Sequence, residues 1–302
     1  MGDPALRAQR GGLWIVLVAS AAFATSAPLS KFVSSIDPIV IALVRVAVAA
    51  LVLGALDLRG LARAVFTLNR RLVALSAAAG VLLGAHFALF QWGLAETSLP
   101  VAVSLVALEP LSVVLAAWVF FRIRPRRLEA VGIIVATAGA LVLGSQADGG
   151  ANTHSLRGDL LVLGAVSLFG VYVCAARAVG TALNALHFAP LVYFFATGTL
   201  AVWVAVAPGS ELPRLDSLAT SSIVGLAALA LIPTVIGHTL VQFGARRLRP
   251  SVLALVCPGE TLGSTALASV ALGIVPTAVE AVGGVIILVG AVLAALAMRS
   301  AE

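Results

Sequence analysis

Charge is scarce in this sequence. Of 302 residues only 11% are Asp, Glu, Lys or Arg, whereas 61% are hydrophobic, and the mean hydropathy is +1.11. Soluble domains run near a quarter charged and about half apolar, so this chain falls outside that class and reads as an integral membrane protein. Aromatic residues are few as well, at 6%. The apolar runs are continuous and about twenty residues long, not alternating segments of about ten, which excludes an outer-membrane barrel and makes the spans helical. Cysteine is nearly absent: Cys174 and Cys257 both lie within apolar runs and lack zinc-site spacing, so neither a disulfide framework nor a metal site is expected. There is no HExxH, no GxSxG, no Cys–His pair at catalytic spacing and no P-loop. An enzyme and an ATP-driven pump built from this chain alone are thereby set aside, and no cofactor is expected.

What the chain has is ten apolar runs, at about 12–33, 38–57, 72–95, 100–121, 128–145, 158–179, 186–207, 218–244, 250–272 and 276–298. Each can cross a hydrocarbon core of about 30 Å. Only "SQADGGANTHSLRGD" and "PGSELPRLD" form polar connections with turn chemistry. If the N-terminus is cytoplasmic, fifteen of the 19 basic residues fall inside, three (Lys31, Arg157 and Arg214) fall outside, and Arg45 lies within a span. The positive-inside rule therefore puts both termini in the cytoplasm, with the chain in the inner (plasma) membrane. The net charge of +6 is read as orientation signal and lipid contact, not as a nucleic-acid surface. Residues 7–24 also have the outline of a signal peptide, with Arg7, Arg10, an apolar stretch and "AFA". The repeat below argues against that reading, because the first run has a partner later in the chain.

The sequence repeats itself. "GLWIVLVASAAFATSAPLSK" (12–31) resembles "GDLLVLGAVSLFGVYVCAAR" (158–177), and "HFALFQWG" (86–93) resembles "HTLVQFG" (238–244). "EPLSVVLA" (109–116) matches "ETLGSTAL" (260–267), glutamate on glutamate, and "LEAVGIIVATAGALVL" (128–143) matches "VEAVGGVIILVGAVLA" (279–294). Two copies of five helices must enter the membrane from opposite faces, because five is odd. The expected fold is thus all-α and membrane-integral, with ten transmembrane helices in two inverted-topology repeats and sites near the midplane. The first repeat covers 1–145, a linker 146–157, the second repeat 158–298 and a cytoplasmic tail 299–302.

These features resemble the EamA branch of the drug/metabolite transporter superfamily over nearly the whole chain. The resemblance rests on the five-plus-five layout, on the glycine pattern ending each half ("VGIIVATAGALVL" and "VGGVIILVGAVL") and on an arginine early in the second run, here Arg45. It implies a transporter of amino acids, drugs or other metabolites. Many members carry a glutamate near the inner end of the fourth helix; here that neighbourhood reads "FFRIRPRR", with no acid, and its role does not carry over.

Ionisable groups inside a bilayer cost at least a few kcal/mol each and point to partners or function. Glu109 lies nine residues past Pro100 and Glu260 ten past Pro250, about 13 and 15 Å in from opposite faces. Arg45 lies about 10 Å in from the same face as Glu109. It is expected either to pair with Glu109 or to bind an anionic group of the substrate. Glu260 has no arginine at matching depth in its own copy, where His187 or Tyr193 stands in the place of Arg45, and this makes Glu260 the expected proton-coupling acid. His86 and His238 occupy matching positions, each about a turn from Gln91 and Gln242 respectively. The histidines are expected to line the pathway, and the glutamines either to hold a polar substrate or to bridge helices. Pro110 and Pro258 are expected to break their helices beside the acids, with Pro28 and Pro233 as further intramembrane prolines. The expected partners are a small-molecule substrate, protons and lipids, with the chain a monomer or homodimer. The leading function is export by alternating access with proton antiport; uptake or exchange without protons and a non-transporting scaffold are the alternatives.

Overall fold

The computed structural model describes residues 4–122, 124–144, 155–179, 183, 185–206, 212–213, 218–244 and 256–299. Among these residues the chain is helical throughout, without strands. The helices are α1 (Pro4–Ala24), α2 (Ser26–Phe32), α3 (Pro38–Leu56), α4 (Leu58–Thr67), α5 (Arg70–Glu96), α6 (Leu99–Val106), α7 (Glu109–Phe121) and α8 (Arg127–Gly144). After the first polar connection follow α9 (Leu156–Val179), α10 (Ala185–Val206), α11 (Thr220–Leu229), a π-helical segment α12 (Ala230–His238), α13 (Thr239–Gly244), α14 (Val256–Leu272) and α15 (Ala278–Arg299). A helix falls on each of the ten apolar runs. Six are long and apolar enough to cross a membrane, or seven if the bent pair α6–α7 is one span.

Helix starts are written in local chemistry. Asp37 accepts from the amides of Ile39 (2.9 Å) and Val40 (3.2 Å) just ahead of Pro38. Asn69 accepts from Leu72 (2.9 Å), and Ser98 from Val101 (3.3 Å) with Pro100 in the first turn. Side-chain caps of this kind satisfy amides that a helix leaves without partners. Glu129 and Glu280 sit in corresponding first turns and reach back to the amides of Arg126 and Thr277, each at 2.7 Å.

The packing respects the repeat. The last helices of the two halves, α8 and α15, lie together, as do α3 and α10. The contact of α5 with α9 is mirrored by that of α12–α13 with α1, and the contact of α7 with α9 by that of α14 with α1. The seam between α8 and α15 shows the correspondence atom by atom. A methyl group on Gly139 would sit 2.8 Å from the carbonyl oxygen of Gly283, and one on Gly290 would sit 2.6 Å from that of Gly132. In the aligned repeats Gly132 corresponds to Gly283 and Gly139 to Gly290, so the same contact is made twice. Close backbone approach through small residues is how helices gain packing energy where the surrounding lipid is as apolar as their side chains.

Three of the apolar runs are interrupted. The fourth bends by 42° between α6 and α7. Ala107 and Leu108 bridge the two halves through tight bonds to Ser104 (3.2 Å) and Leu105 (3.0 Å), and Pro110 has no amide to offer Val106. The eighth run becomes π-helical around Pro233. The first breaks at Thr25, two residues before the Ala27–Pro28 pair. The expected break at Pro258 concerns the carbonyl of Ala254, which lies outside the described residues, while Pro258 itself stands in the first turn of α14.

Candidate functional site

The kink that opens the fourth run places Glu109 in the first turn of α7, buried at 7% exposure. Glu260, on α14, is buried at 9%. The two face a cavity of about 30 Å³, which they share with Arg45, His86 and His238. That volume holds about two water molecules. Phe23, Phe87, Phe90 and Phe169 supply much of the remaining wall, so the ionisable groups stand beside apolar surface where electrostatic effects are strong.

Arg45 is held rigidly. Its Nε donates to Thr234 Oγ1 (2.9 Å), its Nη2 donates to Ser26 Oγ (3.3 Å), and its guanidinium carbon lies 4.5 Å from the centre of the Phe87 ring. Nη1 is buried without a hydrogen-bond partner. No ion pair joins Arg45 to Glu109, which corrects one of the two expectations for this residue. Arg45 is coupled electrostatically to Tyr193 and to Glu260, and Glu109 in turn to Glu260. Glu109 instead accepts from Cys257 Sγ, at 3.5 Å. Depth along a helix axis was a poor guide to pairing because it carries no information about the direction in which a side chain leaves the helix.

Thr234 is the junction that the sequence did not reveal. Pro233 offers no amide to the carbonyl of Leu229, four residues earlier. Thr234 Oγ1 donates to that carbonyl at 3.0 Å while accepting from Arg45. Tyr193, fully buried, donates from its hydroxyl to the Thr234 carbonyl at 3.2 Å. A π-helical turn often marks a functional site, and here it delivers both Thr234 and His238. The proline followed by a hydroxyl residue was the available signal.

His86 Nδ1 lies 2.8 Å from the carbonyl oxygen of Ala165. A carbonyl only accepts, so Nδ1 carries the hydrogen, and in the neutral ring Nε2 is the acceptor. The His238 ring meets Phe23 and Phe87 edge-on, with centroids 4.7 and 5.1 Å away. The other expected residues lie off the cavity lining. Gln91 donates to Ser30 Oγ (3.0 Å) and Gln242 to the Tyr172 hydroxyl (2.9 Å), so the bridging reading describes both glutamines. Tyr193 meets the site through its hydrogen bond to Thr234. His187 is at the end of the bundle, 2.9 Å from Asp57, and this contact, with the Gly60 amide second, holds the Asp57 carboxyl below the usual carboxylate range.

A multi-pass membrane protein, helical over its described residues and with a cavity lined by both halves of a duplicated chain, belongs to the class of membrane transporters of small substrates. Residues 10–145 and 156–296 each match the EamA-like transporter family, and the chain belongs to that family. No curated protein matches it. A solved structure described as "Crystal structure of protein" is similar in fold, with a TM-score of 0.68 at 21% identity over 97% of this chain and 99% of the other.

Proposed function

We propose that the protein is a secondary active transporter of the inner membrane that exports a small metabolite, amino acid or drug by alternating access, driven by proton antiport. In this reading the ten helices form two inverted five-helix repeats, and both termini are cytoplasmic. The observation that carries the reading is the convergence of one glutamate from each half, Glu109 and Glu260, with Arg45 in a single cavity. Arg45 has one unpartnered nitrogen to offer an anionic group, and Glu260 is the carboxylate whose charge it senses. In this reading Glu260 takes the proton and Arg45 receives the anionic group of the substrate. Because about 30 Å³ is too small for such a cargo, the walls must part on one side to admit it.

The test is flux in proteoliposomes with and without an imposed pH gradient. Substrates are chosen by screening an overexpressing strain for resistance to toxic amino acids and drugs. Glu260→Gln mimics the protonated acid, so exchange should persist while accumulation driven by the pH gradient disappears. If the variant still accumulates substrate, Glu260 does not carry the proton. If the wild type moves substrate identically with and without the gradient, transport is proton-independent.

A further inference from the structure

The short helix α4 falls between two spans. It runs from Leu58 to Thr67 between the end of α3 at Leu56 and the start of α5 at Arg70. It is pinned at its start: Asp57 Oδ1 accepts from the Gly60 amide at 2.9 Å, and Asp57 Oδ2 is 2.9 Å from His187 Nε2. At its end Asn69 caps the next span. None of its residues is buried.

At 100° per residue the helix has three faces. Leu61 and Ala64 turn to the bundle: Leu61 Cδ2 lies within 3.8 Å of the methyl position of Gly54, and Ala64 packs on the main core. Leu58, Ala62, Val65 and Phe66 occupy the adjoining arc and touch no core; Phe66 is 90% exposed and Leu58 66%. Arg59 and Arg63 continue round from Phe66, both exposed, and Arg70 and Arg71 follow at the head of α5. Because α3 ends and α5 begins beside it, α4 sits at the level where those spans leave the hydrocarbon.

The geometry points to α4 as a membrane-surface helix that buries Leu58, Val65 and Phe66 among the acyl chains of one leaflet and binds anionic phospholipid headgroups through Arg59 and Arg63. Amphipathic helices with bulky apolar residues on one face and arginine on the other lie in the interface in this way, and basic side chains near the surface attract anionic lipid. A second copy of the chain is the weaker occupant, because two such faces would set four arginines against four.

The full-length protein with Phe66→Cys carries an environment-sensitive fluorophore in vesicles of phosphatidylcholine with phosphatidylglycerol; the native cysteines, Cys174 and Cys257, are buried. The label should be blue-shifted, quenched by spin labels on the acyl chains and shielded from aqueous iodide. Iodide quenching equal to that of a free label overturns the proposal, as does shielding that appears only when copies crosslink through this face. Separately, phosphatidylglycerol retained through purification is measured against phosphatidylcholine. In Arg59→Gln with Arg63→Gln its enrichment should fall about fivefold for each arginine. Arg59→Lys with Arg63→Lys should retain it. Unchanged enrichment in the glutamine variant overturns the headgroup assignment, and loss in the lysine variant as well overturns the role of charge.

Discussion

Replacing Thr234 by valine tests whether the π-helical turn fixes Arg45. Valine keeps the shape but removes two bonds, the one accepted from Arg45 Nε at 2.9 Å and the one donated to the Leu229 carbonyl at 3.0 Å. A hydrogen bond to a charged group contributes about 1.5–3 kcal/mol, and leaving a buried carbonyl with one partner fewer costs about 1–3 kcal/mol more. The two are separable by a double-mutant cycle with Arg45→Met, a long apolar side chain that leaves Ser26, Thr234 and Phe87 in place. In the methionine background Thr234→Val forfeits only the bond to Leu229. The difference between the two backgrounds is the Arg45–Thr234 bond, expected at about 1.5–3 kcal/mol. The assay is equilibrium unfolding in mixed micelles of graded dodecyl sulfate, followed by the fluorescence of the four tryptophans. Losses that add to within about 0.5 kcal/mol would mean that Thr234 does not hold Arg45, and the reasoning from the proline at 233 would fail.

Two further outcomes use the same assay. Arg45→Met should be partly rescued by Glu260→Gln, by on the order of 1–3 kcal/mol, and not by Glu109→Gln; rescue by Glu109→Gln instead would restore the pairing that depth alone suggested. Gly290→Ala and Gly139→Ala should each cost about 1–3 kcal/mol through separation of α8 from α15, and an unchanged midpoint in either would show that the seam is slack.

The hydropathy runs were legible because twenty consecutive apolar residues have one stable solution in lipid, and the chain belongs to the family that their arrangement resembled. The acids were legible for the converse reason, since a carboxylate in such a run stands out. Their neighbours were not. Phe23, Phe87, Phe90 and Phe169 look like any lipid-facing phenylalanine until the bundle turns them inward, and Ser26 is one small hydroxyl residue among many. Gln91 and Gln242 attracted attention by being polar, yet Ser30 and Tyr172 were there to meet them. Helix α4 escaped because two arginines in ten residues lowered its hydropathy. Its signal was the spacing of Leu58, Leu61, Val65 and Phe66 on one side, which a search for membrane spans ignores.

Arg45 has no counterpart in the second half, where Tyr193 approaches the same threonine with an uncharged hydroxyl. The seam of α8 and α15 is duplicated faithfully, but the cavity is not. If the protein alternates by letting each half adopt the other's shape, a perfectly duplicated chain would rest equally in both postures, like a balanced see-saw. A lone fixed cation on one arm removes that degeneracy. A difference of only about 1.4 kcal/mol between two such postures would leave one ten times as populated as the other, and an unmatched buried cation is one source of such a difference.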